Sequence, residues 1–284
     1  MGEAIPSADW SQRWEGIEGA HWVAEAERYD RMAAGFGEAL LDAVGPAPGE
    51  QVLDVGCGNG AITIEAARRV RPGGRAVGLD LSSPMLALAR ERADQADVEE
   101  ALFLHANAQE HDFSEGAFDA VVSRFGVMFF DDPNVAFANL ARTLRPRGRL
   151  GFVAWQSLER SEWLLVPGAA AAAYIGMPEG IGPDEPGPFA LGDPDRVRGI
   201  LEGAGFSDIS LDDVTRPMRI GADVDDAVAF LRSIPIVSEL AAAASPDNES
   251  AALDAVREAL TPYDGSDGVV MNDNSAWLVR ATKR

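Results

Sequence analysis

Between residues 51 and 155, short apolar runs alternate with stretches of helical spacing. Gln51-Val-Leu-Asp-Val55 is a short β-rich run followed at once by glycines, and residues 61–69 have helical composition. That helix stops at Arg71-Pro-Gly-Gly74, because Pro cannot continue the hydrogen-bond ladder and Gly supplies a left-handed cap. Residues 76–79 read as a second strand. Ser82-Ser83-Pro84 then opens a helix with N-cap candidates and a Pro in the first turn, and Met85, Leu86, Ala89 and Ala93 form its apolar face. Residues 101–105, 118–123 and 149–155 are further strands, with a helix at 133–144 between the last two. Strand and helix alternating at this spacing imply right-handed crossovers and a parallel sheet covered by helices on both faces.

Beyond Trp155 the regularity weakens. Five prolines between 176 and 195 mark a long loop, which ends at Asp193-Pro-Asp195, a capped start for a helix over 196–204. A strand is expected at 207–214, helices at 223–243 and 247–260, and a closing strand at 275–282. Alanine runs at 169–173 and 241–244 suit helix packing, and no repeat is evident.

The 284 residues carry 24 basic and 46 acidic side chains, a net charge of −22. No cluster of cations relieves that acidity, so a grip on a nucleic-acid backbone is not expected. The acidity is uneven: residues 51–155 hold 14 acidic and 11 basic residues, whereas residues 1–50 hold 10 and 3, and residues 179–226 hold 12 and 4. The flanks are therefore poor partners for polyanions. The single cysteine, Cys57, excludes an internal disulfide, and with no charged-then-apolar leader in the sequence a reducing cytoplasm is the expected location. No apolar run approaches the ~20 residues of a membrane span.

The strongest chemical signal is Val52-Leu-Asp-Val-Gly-Cys-Gly-Asn-Gly60, a strand running into D-x-G-x-G-x-G and then a helix. Such glycines let the chain turn sharply and a ligand approach the main chain, beside the unpaired N–H groups of a helix start. A nucleotide-like ligand belongs at this strand edge. The dinucleotide fingerprint G-x-G-x-x-G is not met, since the third glycine falls at 60 and Ala61 stands where it should be. Asp54 suits a ligand with a cationic group, and Asp80, closing the second strand, can accept both hydroxyls of a ribose.

With His105-Ala-Asn-Ala-Gln109 and Phe118-Asp-Ala-Val-Val-Ser-Arg-Phe-Gly126, these segments resemble the successive motifs of class I S-adenosylmethionine-dependent methyltransferases, especially the small-molecule branch with the ubiquinone and menaquinone enzymes. The resemblance covers residues 25–155 closely and the rest by layout. It implies a Rossmann-like α/β fold with a seven-stranded, mostly parallel sheet, a reversed last strand and helical lid insertions. It implies S-adenosyl-L-methionine as cofactor, with Gly56, Cys57, Gly58 and Gly60 beneath it, Asp54 near its amino-acid portion, Asp80 on the ribose, and Leu81 and Met85 flanking the adenine. Asn107 stands where the family usually has Asp; its amide oxygen still accepts from the adenine amino group, but without charge. Ala108 and Gln109 lie close by, and Ser123, Arg124 and Phe125 face the methionine end. No metal is expected, because the acidic ligand that metal-dependent relatives place after the fourth strand is replaced here by Ser123-Arg124-Phe125.

The resemblance divides the chain into an N-terminal helical lid, 1–48, and a methyltransferase domain, 49–284. The latter comprises a cofactor half at 49–155, an acceptor-side loop at 156–192 and a helical insertion at about 218–265. The flanking segments hold Trp10, Trp14, Trp22, Tyr29, Trp155, Trp163, Tyr174 and Phe189, enough aromatic surface to wall a small apolar acceptor and to face a sulfonium. Trp22, Tyr29, Trp155 and Trp163 are the expected acceptor contacts, with core or lid packing as the alternative for each. His21 is the candidate base, or else a helix-end histidine. Arg124 either binds the cofactor carboxylate or an anionic acceptor, or pairs with a neighbouring acid. The expected activity is methyl transfer to a small, mostly apolar quinone, phenol or polyketide-like metabolite by a monomer or homodimer. A nicotinamide-dependent oxidoreductase, a non-catalytic cofactor-binding protein and a methyltransferase acting on proteins are the alternatives.

Overall fold

The computed structural model describes residues 10–178, 182 and 185–284. Part of the proline-rich loop, including Pro183, and the first nine residues of the expected lid lie outside the described residues. The chain enters through three helices, α1 Trp10–Glu15, α2 Ile17–Ala24 and α3 Ala26–Val44. Along α3 the buried Tyr29, Met32, Phe36, Leu40, Leu41 and Val44 recur every three or four positions, one apolar stripe laid on the sheet. Gly45, in the left-handed conformation, ends the helix.

Then come β1 Gln51–Val55, α4 Ala61–Arg69, β2 Arg75–Asp80, α5 Ser83–Gln95, β3 Ala101–His105, β4 Phe118–Arg124, α6 Pro133–Thr143 and β5 Leu144–Trp155. Strand and helix alternate as the apolar pattern requires. Asp132 caps α6, its carboxylate accepting from the backbone N–H groups of Asn134 and Val135. The sheet order is β3-β2-β1-β4-β5-β8-β6, parallel through β5 and reversed at β8 Gly268–Lys283, which lies between β5 and β6 Phe206–Gly221. A two-residue strand, β7 Asp264–Gly265, pairs only with β8. Strand order changes direction between β1 and β4, and the crevice at their carboxyl ends is where such sheets hold ligands.

Three expectations needed correction. The stretch 156–192 is not simply a loop: it contains α7 Glu162–Ile175, favoured by the alanine run despite Pro167 within it. The strand expected at 207–214 extends to Gly221 because its alternation continues against β8, with Pro217 falling at a register shift. The helical insertion therefore starts later than 218, and it is three helices, α9 Val224–Ser233, α10 Pro235–Ala243 and α11 Pro246–Leu260. The helix before β6 is α8 Pro194–Gly203, capped by Asp193.

No helix among the described residues is long and apolar enough to cross a membrane.

Candidate active site

A cavity of about 400 Å³ opens at the carboxyl ends of β1, β2 and β4 and runs beneath α1, α2, α7 and the α9–α11 helices. Its floor is the glycine loop. Gly56 has φ of +66°, and a Cβ placed on it would lie 2.7 Å from the Cα of Gly126. The loops after β1 and β4 thus meet backbone to backbone at the switch point, an approach that only glycine allows. Gly58, at φ +53°, leaves a recess that a Cβ would fill, 2.8 Å from the Met85 methyl group. Gly60 caps α4 and packs on Ala89 and Phe103, so its role is to turn the chain rather than to line the cavity.

Two buried carboxylates flank this floor. Asp54 accepts from the Thr63 hydroxyl at 2.6 Å through Oδ2, while Oδ1 is sealed from water without a partner. Burial pushes its carboxyl up to about 7, against the opposing pull of the Thr63 hydrogen bond and the Arg124 charge. Asp80 accepts from the backbone N–H groups of Gly58 at 2.8 Å and Ser82 at 2.9 Å. Burial raises it too, and those N–H groups oppose the rise. Each of its oxygens keeps a lone pair for a further donor. Leu81, Met85, Asn107, Ala108 and Gln109 continue the wall. The Asn107 side-chain oxygen accepts from the Gln109 N–H and braces its own loop, while the Gln109 side chain accepts from the Asp132 N–H and ties that loop to the start of α6. Cys57 lines the floor, but burial pushes its thiol up, which leaves it neutral rather than nucleophilic.

The opposite end is aromatic. Trp22 stacks on Tyr29 with centroids 3.8 Å apart, and Trp14 meets both Trp22 and Phe129 edge-on. Phe125, held at φ +64° where β4 ends, stacks on Trp155 at 4.1 Å, and Trp155 neighbours Trp163. Trp22, Tyr29, Trp155 and Trp163 all line the cavity, as do Val228, Leu231 and Leu253 from the three-helix insertion.

Two further expected residues, His21 and Ser123, stand off the cavity wall, while Arg124 stands on it. His21 does not line the cavity; its Nε2 is 3.0 Å from the Tyr29 hydroxyl and its ring lies over Phe230. Indeed none of the three histidines lines it. Ser123 is consumed by structure, donating to the Val55 carbonyl and accepting from the N–H groups of Gly126 and Val127. Arg124 reaches the wall while paired at 3.1 Å with Asp30, which also holds Arg92. Asp30, Asn59, Phe129 and Phe130 were missed from the sequence. Asn59 sat inside the glycine motif, a signal that was available; the others are ordinary residues whose placement only the packing reveals. Among the described residues no group of three or more His, Cys, Asp or Glu side chains is placed to hold a metal ion.

Residues 52–148 match the family model described as a methyltransferase domain. Over that stretch the chain is similar to methyltransferase domains. That stretch and its surroundings are 35% identical to nocamycin O-methyltransferase of Saccharothrix syringae over 60% of this chain and 64% of that one. They are 41% identical to demethylmenaquinone methyltransferase of Thermus thermophilus over 36% of this chain and 45% of that one. The chain thus spans less than two thirds of the length of these relatives. Phosphoethanolamine N-methyltransferase 2 of Haemonchus contortus, solved with S-adenosyl-L-methionine, superposes with a TM-score of 0.58 at 20% identity, covering 99% of this chain and 60% of that one. At that identity the likeness is one of fold.

The residues of this site fit S-adenosylmethionine by their own geometry. Asp54 offers an unpaired buried acceptor to a cationic group, Asp80 keeps acceptor capacity for two hydroxyls, and the Gly58 recess admits what a side chain would exclude.

Proposed function

We propose that this protein is an S-adenosylmethionine-dependent methyltransferase acting on a small, mostly apolar metabolite of quinone, phenol or polyketide type, with O- or C-methylation. The observation that carries the reading is one cavity with two unlike ends: a carboxylate-edged glycine floor at the sheet and an aromatic wall beneath the helices. When bound, the cofactor supplies a methyl group already activated on a sulfonium, so the protein's task is alignment and the exclusion of water. Asp54 balances positive charge at the floor, Asp80 holds the ribose, and Met85 with Leu81 encloses the adenine. Trp22, Tyr29, Trp155 and Trp163 bury the acceptor and set its approach to the floor. With no histidine on the cavity wall, an acceptor whose own hydroxyl or enol is acidic fits best, because little help is needed to remove its proton. The names of the nocamycin and demethylmenaquinone relatives support acceptors of this kind.

The protein is further proposed to work in the cytoplasm as a monomer or homodimer without nucleic acid, a reading supported by its buried lone cysteine and its net charge of −22. The test is transfer of labelled methyl from S-adenosylmethionine to a panel of phenols, quinones and polyketide-like acids. Methylation of one or more is expected; cofactor binding with no transfer to any of them, and transfer to a protein instead, would overturn the acceptor class.

A further inference from the structure

Asn59 sits between two glycines of the floor and is only 5% exposed, yet it belongs to the cavity wall. Its side chain has two unlike halves. The Nδ2 donates to the main-chain carbonyl of Trp22 at 3.1 Å, reaching from the glycine loop to α2 across 37 positions of sequence. The Oδ1 is buried without any hydrogen-bond partner. A buried amide oxygen left unpaired on a cavity wall is costly until a donor from a water, an ion or a ligand completes it. The other orphaned oxygen on this floor is Asp54 Oδ1, near the end of β1, and two unpaired acceptors on one cavity wall suit a group with several N–H bonds.

The far end of the contact matters equally. Trp22 stacks on Tyr29 and meets Trp14 edge-on, and all three rings line the cavity. Helix α2 lies directly over the β2–α5 turn, since a Cβ on Gly19 would fall 2.3 Å from the Ser82 hydroxyl. Beside the Asn59 contact, the first two helices meet this half of the fold through a hydrogen bond from the Ser83 N–H to Glu15, the approach of Glu15 to His105, and the edge-on contacts of Trp10 and Trp14 with Phe129.

We propose that Asn59 is a positioning residue that joins the two ends of the cavity: its Oδ1 takes a hydrogen bond from the amino-acid ammonium of the bound cofactor, and its Nδ2 holds α2 and the Trp14–Trp22–Tyr29 wall in register. Filling the cofactor end thereby completes the acceptor end, and the acceptor site is assembled after the cofactor has bound. This rests on the reading that the cavity takes S-adenosylmethionine.

The experiment uses two probes, S-adenosylhomocysteine, which carries the ammonium, and 5′-methylthioadenosine, which lacks the amino-acid portion. Calorimetry is combined with hydrogen exchange of the α2 amides. Asn59→Ala is expected to weaken S-adenosylhomocysteine about tenfold or more and 5′-methylthioadenosine less than about twofold, as loss of one hydrogen bond to a charged group requires. Asn59→Asp keeps an acceptor but loses the donor. It should bind S-adenosylhomocysteine within about threefold of the wild type, a gap too small for a lost charged hydrogen bond, yet fail to slow exchange in α2 as the wild type does on binding. Equal weakening of both probes by Asn59→Ala, no weakening of either, or wild-type protection of α2 in Asn59→Asp would overturn the inference. Folding of each variant is checked by its melting transition, and the isosteric Asp variant serves if the Ala variant does not fold. Failure of the folded wild type to bind S-adenosylhomocysteine is a different result, which removes the reading of the cavity and this inference with it.

Discussion

The floor and the roof of the cavity are built on opposite principles. At the floor, β1, β2 and β4 deliver their ends side by side, and function depends on backbone geometry: Gly56 against Gly126, and the Gly58 N–H fixed on Asp80. At the roof, α1, α2, α7 and α9–α11 contribute mainly aromatic and aliphatic side chains, with the charged Glu18, Arg232 and Glu249 among them. Charge separates the regions as well. The segment 51–155 is nearly balanced, whereas residues 1–50 carry 10 acidic against 3 basic side chains. On the proposed reading, the cofactor is gripped by a rigid sheet edge and the acceptor by helices added around it.

Substitution at the floor should have the largest effect. Gly56→Ala places a Cβ 2.7 Å from Gly126 at a left-handed φ, and S-adenosylhomocysteine binding measured by calorimetry should weaken by at least about a hundredfold. Asp80→Ala removes the acceptor of the Gly58 and Ser82 N–H groups as well as the proposed ribose contact; a loss of about ten- to a hundredfold is expected, chiefly for ligands with a free ribose. If either variant bound normally, the floor would not be the cofactor end.

A smaller effect is expected from pH. Burial raises Asp54 to about 7, so below that pH the unliganded protein mostly holds a proton there that a cationic ligand must displace. S-adenosylhomocysteine affinity should therefore fall as pH drops from 8 to 6, with protons released on binding, and Asp54→Asn should flatten that dependence. The sign for stability is opposite: the raised carboxyl favours the folded state while protonated, and this contribution is lost as pH rises from its unfolded value near 4 through about 7. Thermal melts of the wild type and Asp54→Asn across that range check it.

The smallest effect on the cofactor should come from the roof. Leu253→Ala in α11 trims an apolar wall residue and should leave S-adenosylhomocysteine affinity within about twofold, while raising the KM of any methyl acceptor found. Equal losses of both would mean that floor and roof are one unit.

The same contrast governs what could be read in the sequence. The glycine spacing, Asp54 and Asp80 were legible because backbone conformation and strand position dictate those residue types. Strands β1 to β4 were legible nearly to the residue because they are short, apolar and bounded by breakers, whereas β5 and β8 start well before, and β6 runs well past, the expected bounds, β6 and β8 because they continue to pair with one another. At the roof, the aromatic content pointed to Trp22, Tyr29, Trp155 and Trp163, but the phase of each short helix did not follow from composition. Hence His21, one residue from Trp22, turns to Tyr29 and Phe230 instead of the cavity. Helix α7 was hidden by Pro167 and Gly168, and Ser123 by a hydrogen bond to Val55 that sequence cannot show.

The central claim is that the carboxylate-edged floor binds S-adenosylmethionine rather than a dinucleotide. Calorimetric titration of the wild-type protein with S-adenosylhomocysteine, and with NAD(P) as comparator, tests it most directly. Saturable one-to-one binding of S-adenosylhomocysteine with no heat from NAD(P) is the predicted result. Folded protein that ignores S-adenosylhomocysteine, or prefers NAD(P), would contradict it.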